Sequence, residues 1–415
     1  MADTMTLSEE LAWRGFVNQT TFKDVGELDG KPIAFYWGVD PSADSMTVGN
    51  LAIAMMVRHF MNHGHKAYLL VGGATGLIGD PDGKATEREL KPMEEVAHNK
   101  AAIVAQYQRV FADKPFTVVD NYDWFKDMGY LEFLRVIGKH VPMRQMLGRE
   151  FVQKRLSEDG AGISYAEFSY SLIQGYDFLH LFREHGVSLQ VCGADQWGNS
   201  IAGVELIRRV ENAEANIWSA PLVVNKATGM KFGKSEEGAI WLDESKTSVF
   251  KFYQFWLNVD DDSVGDFLKL YTMLSREALG QLMAEFEQNR GARLAQKTLA
   301  YEVTKLVHGV DKANAVVKAT EVLFGGGDFR ALGELDLAML KTELPVVQAS
   351  HEDGISTLLV KTGLASSLSD ASRLISGGGV GLDSDKVSDP QATLEQAGVH
   401  LLRRGKNSFA IVERA

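Results

Sequence analysis

The sequence predicts an α/β protein in which a doubly wound parallel sheet is followed by a helical region and then by a small α+β unit. From Lys31 to about Val119, short runs rich in β-branched and aromatic residues alternate with helical patterns. From about Ser248 to Gly325 the spacing of apolar residues is almost entirely helical. Such a change of period along a chain indicates units that pack separately.

The first unit contains, in order, the strand KPIAFYWGVD, the helix LAIAMMVRHFMNHG, the strand KAYLLVGG and later the strand FTVVDN. Strands that alternate with helices in this way are typical of β-α-β units and a parallel sheet. The polar, helical stretch over residues 126–158 is predicted to be an insertion in the sheet. The alternation then resumes with the helix SYSLIQGYDFLHLFREHG and with a strand that runs into the loop of SLQVCGADQWGN.

These patterns predict four segments. The sheet domain covers residues 1–245, a helical domain covers 246–325, a linker covers 326–350, and a small C-terminal unit covers 351–415. The linker is suggested by the Gly-rich and polar stretch FGGGDFRALGELD, and the last unit ends in the strand-like SFAIVER. We find no internal repeat and no low-complexity tract.

The composition is that of a globular protein, with 45% hydrophobic and 24% charged residues among 415. It excludes the disordered and collagen-like classes. The acidic N-terminal sequence resembles no leader peptide, and no apolar run approaches the roughly 20 residues that a membrane helix needs. One cysteine, Cys192, without any Cys/His cluster argues against disulfides and structural zinc. We therefore expect a cytoplasmic protein.

The formal net charge of -12 looks unfavourable for nucleic-acid binding, because neutralised phosphates supply most of that affinity. Local charge matters more than net charge. The last 67 residues carry seven Lys/Arg against eight Asp/Glu, with Arg403, Arg404 and Lys406 clustered. The acidic excess therefore lies mainly upstream of the C-terminal unit.

The segment YWGVDPSADSMTVGNLAIAM carries the strongest local signal near the N-terminus. Its strand ends at Gly38 and Asp40-Pro41, and a helix begins near Asn50. The unpaired N–H groups at such a helix start, together with the helix dipole, form a site suited to phosphate. An ordinary turn between strand and helix is the alternative.

A second signal is GMKFGKSEEG at residues 229–238. Its two lysines, Lys231 and Lys234, flank a glycine on a loop, and they could bring positive charge to the phosphates of a nucleotide. Taken alone, this segment is more simply a surface turn. Its occurrence after the first motif is much rarer than either segment by itself.

Together these two segments resemble the two signature motifs of the class I aminoacyl-tRNA synthetases, known as HIGH and KMSKS. Here they read TVGN, from Thr47 to Asn50, and KFGKS, from Lys231 to Ser235. The intervening VGGATGLIGDPDGKATER, NYDW, FSYSLIQGYDFLHL and CGADQWGN resemble the bacterial-type tyrosyl branch in order and spacing. The likeness covers nearly the whole chain, and it implies a Rossmann-like catalytic domain that activates tyrosine with ATP.

The resemblance also assigns residues to tyrosine. Tyr36 and Asp177 would bind the phenolic hydroxyl, while Tyr170, Gln174 and Asp80 would contact the amino group. Thr75, Asn121 and Gln196 would border the same pocket. The spacing of Tyr170, Gln174 and Asp177 independently places them on one helix face, which could line a pocket or face water. A strand core residue and a helix surface charge are the alternatives for Tyr36 and Asp177.

For ATP, the resemblance implies contacts from the residues of four short glycine- or lysine-containing segments: Gly38, Asp40, Gly49, Gly193, Asp195 and Lys234. Asp195 would bind the ribose hydroxyls, as a carboxylate can. The catalytic residues would be Thr47, Asn50, Lys84, Arg88, Lys231 and Lys234, with Mg²⁺ accompanying ATP. Because the tyrosine carboxylate would attack the α-phosphorus directly, no covalent enzyme intermediate is needed, and Cys192 need not be a nucleophile and is expected to be a small buried residue.

Two positions depart from the family pattern. Most bacterial members carry His where this chain has Thr47, and Trp37 is bulkier than the residue usual beside the ribose. The rival readings are a tryptophanyl-tRNA synthetase, which has a similar core, and a degenerate paralogue kept for RNA binding.

The C-terminal SLSDASRLISGGGVGLDSDKVSDP and HLLRRGKNSFAIVER resemble the small RNA-binding domain of a small-subunit ribosomal protein. Tyrosine tRNA is therefore an expected partner, and a dimer or protein contact is the alternative for this unit. The family likeness further implies a homodimer.

Overall fold

The computed structural model describes residues 5–81, 89–157, 160–224, 232–235 and 238–415. The chain divides into two compact units, one of residues 1–247 with 259–299 and the other of residues 248–258 with 300–415. None of the helices in the described ranges is long and apolar enough to cross a membrane. The predicted domain boundaries remain predictions.

The first unit contains the following elements: α1 Leu7–Arg14, β1 Gln19–Thr20, β2 Ala34–Val39, α2 Val48–Asn62, β3 Lys66–Val71, α3 Thr75–Ile78, α4 Met93–Val110, β4 Phe116–Asp120, α5 Tyr122–Phe125, α6 Tyr130–Val136, α7 Met143–Leu147, α8 Glu150–Leu156, α9 Tyr165–His185, β5 Leu189–Gly193, α10 Trp197–Glu211, β6 Asn216–Ala220, β7 Lys234–Ser235 and β8 Gly238–Ala239. Two later helices, α12 Val264–Tyr271 and α13 Arg276–Gln288, also belong to this unit. The second unit contains α11 Val249–Leu257, α15 Val310–Thr320, α16 Glu334–Glu343, β9 Val346–Ala349, α17 Ile355–Lys361, α18 Leu368–Ser376, β10 Val380–Leu382, β11 Asp385–Lys386, β12 Gly398–Arg404 and β13 Ser408–Arg414. Helix α14, Leu294–His308, begins in the first unit and ends in the second.

The main sheet has the strand order β1-β6-β5-β2-β3-β4. Its pairs β6-β5, β5-β2, β2-β3 and β3-β4 are parallel, and only β1 joins antiparallel. The chain therefore builds the sheet outward from β2 in one direction and then returns to add β5 and β6 on the other side. This confirms the predicted doubly wound parallel sheet, and it places the topological switch point between β2 and β5.

Burial on both faces of the sheet explains why its strands could be predicted from apolar runs in the sequence. All five residues of β5 are buried, and so are five of the six residues of β3. A parallel sheet is covered on both faces, so its strands read as continuous apolar runs instead of alternating ones. Helix α2 lies within the same core, with Leu51, Met55 and Phe60 all buried.

The second unit contains a five-stranded sheet in the order β11-β10-β12-β13-β9. Its strands are antiparallel except for β9, which pairs in parallel with β13. Helices α17 and α18 contribute Ile355, Leu358, Leu359 and Ile375 to a core with residues of the sheet. The predicted α+β unit is thus present. The stretch over residues 326–350, suggested as a linker, carries α16 and the edge strand β9.

Candidate active site

A cavity of about 330 Å³ opens at the carboxyl ends of β2 and β5, at the switch point of the main sheet. In register, Tyr36 of β2 lies opposite Gln190 of β5, and both side chains border the cavity. Parallel strands end at one edge, and chain segments diverge there to opposite faces of the sheet. The fold therefore creates this cleft, and the loops that follow β2 and β5 supply its walls.

Most of the residues predicted from sequence surround this one cavity. They come from β2 and the start of α2, from the segment around α3, from α9, and from the end of β5: Tyr36, Gly38, Asp40, Thr47, Gly49, Asn50, Thr75, Asp80, Tyr170, Gln174, Asp177, Gly193, Asp195 and Gln196. Asn121 lies behind this lining, fully buried. Lys84, Arg88 and Lys231 fall outside the described residues, and Lys234 is described only by its backbone in β7. The functional roles of all these residues remain predictions.

The closed end of the cavity is formed by Asp177 and Tyr36. Asp177 is 1% exposed and accepts hydrogen bonds from Asn121 Nδ2 at 3.1 Å and from Trp124 Nε1 at 2.9 Å. Burial raises the pKa of Asp177 well above its ordinary value, and the two hydrogen bonds oppose that shift. Tyr36 is 1% exposed and its hydroxyl has no hydrogen-bond partner within the described parts of the chain. Most buried polar groups have a hydrogen-bond partner, so this hydroxyl is available to bind a ligand or a water molecule.

A chain of hydrogen bonds connects this end to the middle of the cavity. Asn121 Nδ2 also donates to Thr75 Oγ1 at 3.0 Å, and Thr75 Oγ1 donates to Asp40 Oδ1 at 2.6 Å. The other oxygen of Asp40 accepts the Tyr170 hydroxyl at 2.6 Å. Asp40, assigned to the nucleotide, is thus bonded to two residues assigned to the amino acid. This shared carboxylate couples the two halves of the predicted site.

A second carboxylate lies nearby. Gln196 Nε2 donates to Asp80 Oδ2 at 2.7 Å, and Asn199 Nδ2 donates to Gln196 Oε1 at 3.2 Å. Gln174, on the same face of α9 as Tyr170, has a buried Oε1 without a partner in the described residues. Acceptor oxygens therefore dominate this wall. An ammonium group, which only donates hydrogen bonds, matches such a wall.

At the other end of the cavity, α2 begins directly after Thr47. The backbone N–H and the hydroxyl of Thr47 both donate to Asn50 Oδ1, each at 3.0 Å. The two polar side chains of the TVGN motif are therefore paired with each other. On the opposite wall, a Cβ added at Gly193 would lie 2.6 Å from Asp195 Oδ1, so that glycine is required for the Asp195 carboxylate to occupy its position.

Several residues that border or support the cavity were missed by the sequence reasoning, among them Gln190, Trp124 and Ser42. Gln190 is 3% exposed, and its Oε1 has no hydrogen-bond partner among the described residues; Trp124 donates to Asp177, and Ser42 lines the wall near Asp40. A glutamine inside a strand of otherwise apolar, buried residues was a usable signal for Gln190. Trp124 lies within the quoted NYDW segment, but only the folded chain shows where its indole points.

Cys192 also lines the cavity, and burial raises the pKa of its thiol to about 12. The thiol is therefore neutral at physiological pH, and a neutral thiol is a poor nucleophile.

Similarity to known proteins agrees with what the geometry of the cavity indicates. The family model described as tRNA synthetases class I (W and Y) matches residues 28–325. A tyrosine–tRNA ligase of Levilactobacillus brevis is 40% identical over 99% of this chain and 99% of its own length. Tyrosine–tRNA ligase 1 of Streptococcus thermophilus is 41% identical over 97% of this chain and 98% of its own.

Among solved structures, a C-terminally truncated mitochondrial tyrosyl-tRNA synthetase of Aspergillus nidulans superposes with a TM-score of 0.70 at 30% identity. The match covers 77% of this chain and 95% of that one. A tyrosyl-tRNA synthetase of Archaeoglobus fulgidus complexed with L-tyrosine gives a TM-score of 0.57 at 15% identity, covering 74% and 99% respectively. The second likeness concerns the fold alone.

Proposed function

The chain belongs to the class I tRNA synthetases of the tryptophan and tyrosine group, and on that premise we propose how its cavity carries out the reaction of a tyrosine–tRNA ligase. The enzyme joins L-tyrosine to ATP, forming tyrosyl-adenylate and pyrophosphate, and then transfers the tyrosyl group to the 3′ end of tyrosine tRNA. The feature that best supports the proposed site is the polar, closed end formed by Tyr36 and Asp177.

The phenolic hydroxyl of tyrosine would sit between Tyr36 and Asp177. The Tyr36 hydroxyl stays protonated because burial raises its pKa, so it remains a donor, while Asp177 offers oxygens that Asn121 and Trp124 only partly occupy. Phenylalanine would leave these buried polar groups unpaired, which is how a hydrogen-bonding site rejects an analogue that lacks the hydroxyl. Tyrosine-specific synthetases are the established example of such rejection. Tryptophan would present a different shape and no hydroxyl at this depth.

The ammonium group of the substrate would lie against the acceptor wall of Asp80, Tyr170 and Gln174. The Tyr170 hydroxyl already donates to Asp40, so its oxygen is left as an acceptor toward the substrate. The amino acid is then fixed at both ends, and its carboxylate is directed toward the nucleotide. Such orientation converts an encounter of two reactants into a step within one complex.

ATP would occupy the half of the cavity between the start of α2 and the loop after β5. Asp195 would accept hydrogen bonds from the ribose hydroxyls, and Gly38, Gly49 and Gly193 would let the nucleotide approach the backbone. The start of α2 offers N–H groups and a positive dipole end to the phosphates. Lys84, Arg88, Lys231 and Lys234 would add positive charge as pyrophosphate leaves.

In the first step the tyrosine carboxylate attacks the α-phosphorus and the bond to pyrophosphate breaks. In the second, a hydroxyl of the terminal tRNA ribose attacks the tyrosyl carbonyl and AMP leaves. Mg²⁺ would reduce the negative charge on the phosphates. Mg²⁺ in such sites commonly takes ligands from the substrate phosphates and from water. In the described ranges no group of three His, Cys, Asp or Glu residues that could hold a metal ion occurs.

For tRNA, we propose that the C-terminal unit over residues 351–415 grips the RNA backbone. Arg403, Arg404 and Lys406 are exposed where β12 turns into β13, and clustered cations of this kind contact phosphates. Removal of that charge would weaken tRNA charging and leave adenylate formation unchanged. Loss of both reactions together would contradict this assignment.

We further propose a homodimer that works in the cytoplasm. The insertion and the start of α9 expose large apolar side chains, with Tyr130 62%, Leu131 74%, Met143 58% and Tyr165 61% exposed. Exposed large apolar side chains mark an interface where they form a continuous patch. Sedimentation equilibrium would give the mass of two chains, whereas a single-chain mass at micromolar concentration would refute the dimer.

The experiment that tests the proposed function is tyrosine-dependent exchange of pyrophosphate into ATP, with phenylalanine and tryptophan run in parallel. Exchange with tyrosine alone, followed by charging of tyrosine tRNA, is the expected result. Exchange with tryptophan instead would contradict the tyrosine assignment. No exchange by folded protein with Mg²⁺ would refute the enzymatic reading.

A further inference from the structure

Helix α12 contacts the start of α2 through a buried hydrogen bond. Tyr271, at the C-terminal end of α12, is fully buried, and its hydroxyl donates to the carbonyl of Val48 at 3.2 Å. Val48 is the first residue of α2 and directly follows Thr47 of the first motif. A residue more than two hundred positions away in sequence therefore holds the helix start that would face the phosphates.

The same helix contacts the second motif. Phe232 lies between Lys231 and Gly233 in KFGKS, and it is 8% exposed. Its ring centroid is 4.2 Å from that of Phe267 on α12 and 6.0 Å from that of Tyr271. Aromatic rings at such separations stabilise one another beyond their simple burial. Helix α12 thus anchors the aromatic residue of the lysine segment.

The first motif, TVGN, also contacts the KFGKS motif at Val48. Its N–H donates to the Ile240 carbonyl at 3.1 Å, and Ile240 in turn donates to the Gly233 carbonyl at 2.9 Å. Gly233 has a φ of +94°, and a Cβ there would lie 2.5 Å from Val48 Cγ2. Both the backbone angle and the close approach require glycine at this position.

We propose that Tyr271 is a positioning residue for ATP, which holds the start of α2 against Phe232 and Gly233 of the second motif, so that both motifs can act on the same phosphates. This inference rests on the proposed function. Tyr271 does not border the cavity, so it acts through Val48 and Phe232. Fixing two groups beforehand lowers the entropy lost when the transition state forms. The tyrosine end of the cavity, at Asp177 and Tyr36, is built from other elements.

The test compares Tyr271→Phe with Tyr107→Phe in pyrophosphate exchange at varied ATP and tyrosine. Tyr107 is the matched control, because it is also fully buried and its hydroxyl also donates to a backbone carbonyl, that of Leu70, at 3.4 Å. We expect Tyr271→Phe to lower kcat/KM for ATP by about twofold to tenfold, the effect of one neutral hydrogen bond. The dissociation constant for tyrosine, measured without ATP, stays unchanged. Tyr107→Phe leaves both constants near those of the parent.

A second pair of variants covers the case in which Tyr271→Phe fails to fold. Phe267→Leu and Phe232→Leu should each weaken the use of ATP, and their effects should be less than additive in the double variant because the rings act through one contact. Equal ATP constants for Tyr271→Phe and Tyr107→Phe would overturn the inference, and where Tyr271→Phe does not fold, additive effects of the two leucine variants would overturn it. Absence of exchange in the parent protein would overturn the proposed function, and the inference with it.

Discussion

Replacing Tyr36 by phenylalanine should change stability and substrate selection in opposite directions. The Tyr36 hydroxyl is buried without a protein partner in the described residues, and an unsatisfied buried polar group costs about 1–3 kcal/mol. Its removal should therefore leave the free energy of unfolding unchanged or raise it by about 1 kcal/mol. With tyrosine bound, the same change deletes one hydrogen bond, worth about 0.5–1.5 kcal/mol, so kcat/KM for tyrosine should fall about twofold to twelvefold.

For phenylalanine the expected change has the other sign. In the parent protein, bound phenylalanine leaves the Tyr36 hydroxyl unpaired, whereas the Tyr36→Phe variant has no hydroxyl there that could be left unpaired. The kcat/KM for phenylalanine should stay the same or rise, and the ratio of kcat/KM for tyrosine to that for phenylalanine should therefore fall. Asp177 keeps its polar environment from Asn121 and Trp124, so a substantial preference should remain.

Urea unfolding and pyrophosphate exchange with both amino acids measure these effects. Tyr68→Phe is the control, because Tyr68 lies opposite Tyr36 on β3, is also buried, and does not border the cavity. It should leave the ratio of the two specificity constants unchanged. A marked loss of stability in Tyr36→Phe, or an unaltered ratio, would refute the placement of the phenol at this hydroxyl.

Three further predictions concern other buried groups. Arg155→Met should lower the free energy of unfolding by about 3–5 kcal/mol, because it leaves unpaired the buried Glu167 carboxylate that Arg155 contacts at 2.8 Å. In urea unfolding, the double variant with Glu167→Leu should recover much of that loss. If it does not, an uncompensated buried charge is not the cause. Burial lowers the pKa of His59 from 6.5 to about 4, so between those values the unfolded chain binds a proton that the folded chain does not, and stability should fall by about 1.5 kcal/mol from pH 6.5 to pH 5. His59→Gln should flatten that pH dependence, and an equal slope in both proteins would exclude His59 as its source. Iodoacetamide at pH 8 should leave exchange activity intact, because the Cys192 thiol is buried and neutral; rapid inactivation would contradict this.

The main sheet could be predicted because its strands are buried on both faces. β3 and β5 read as largely apolar runs, broken in β5 by Gln190, and helices between them leave only a parallel arrangement. The position of β9 could not be read in this way. Residues 346–349 are partly exposed, and they form a strand only by pairing with β13, more than sixty residues later. Local sequence carries little information about such a distant partner.

The candidate site, too, could be predicted from the sequence only in part. Residues at the ends of β2 and β5 could be grouped beforehand, since parallel strands end at one edge of a sheet. What the sequence could not supply was the pairing of polar groups within the cavity. Asp40 binds both Thr75 and Tyr170, and Trp124 turns its indole toward Asp177. These bonds depend on side-chain directions that only the packed structure fixes.

Thr47 illustrates how such a pairing changes the expected chemistry. Its hydroxyl donates to Asn50, so a contact with phosphate requires that it give up this bond. A hydrogen bond to a charged group is worth about 1.5–3 kcal/mol, against about 0.5–1.5 kcal/mol for a neutral one. The exchange is therefore favourable by only about 1 kcal/mol, roughly a fivefold rate effect. On the proposed function, the side chain of Thr47 can therefore add only about this much to the stabilisation of the leaving phosphates, and the arrangement of the start of α2 and the KFGKS motif is expected to matter more.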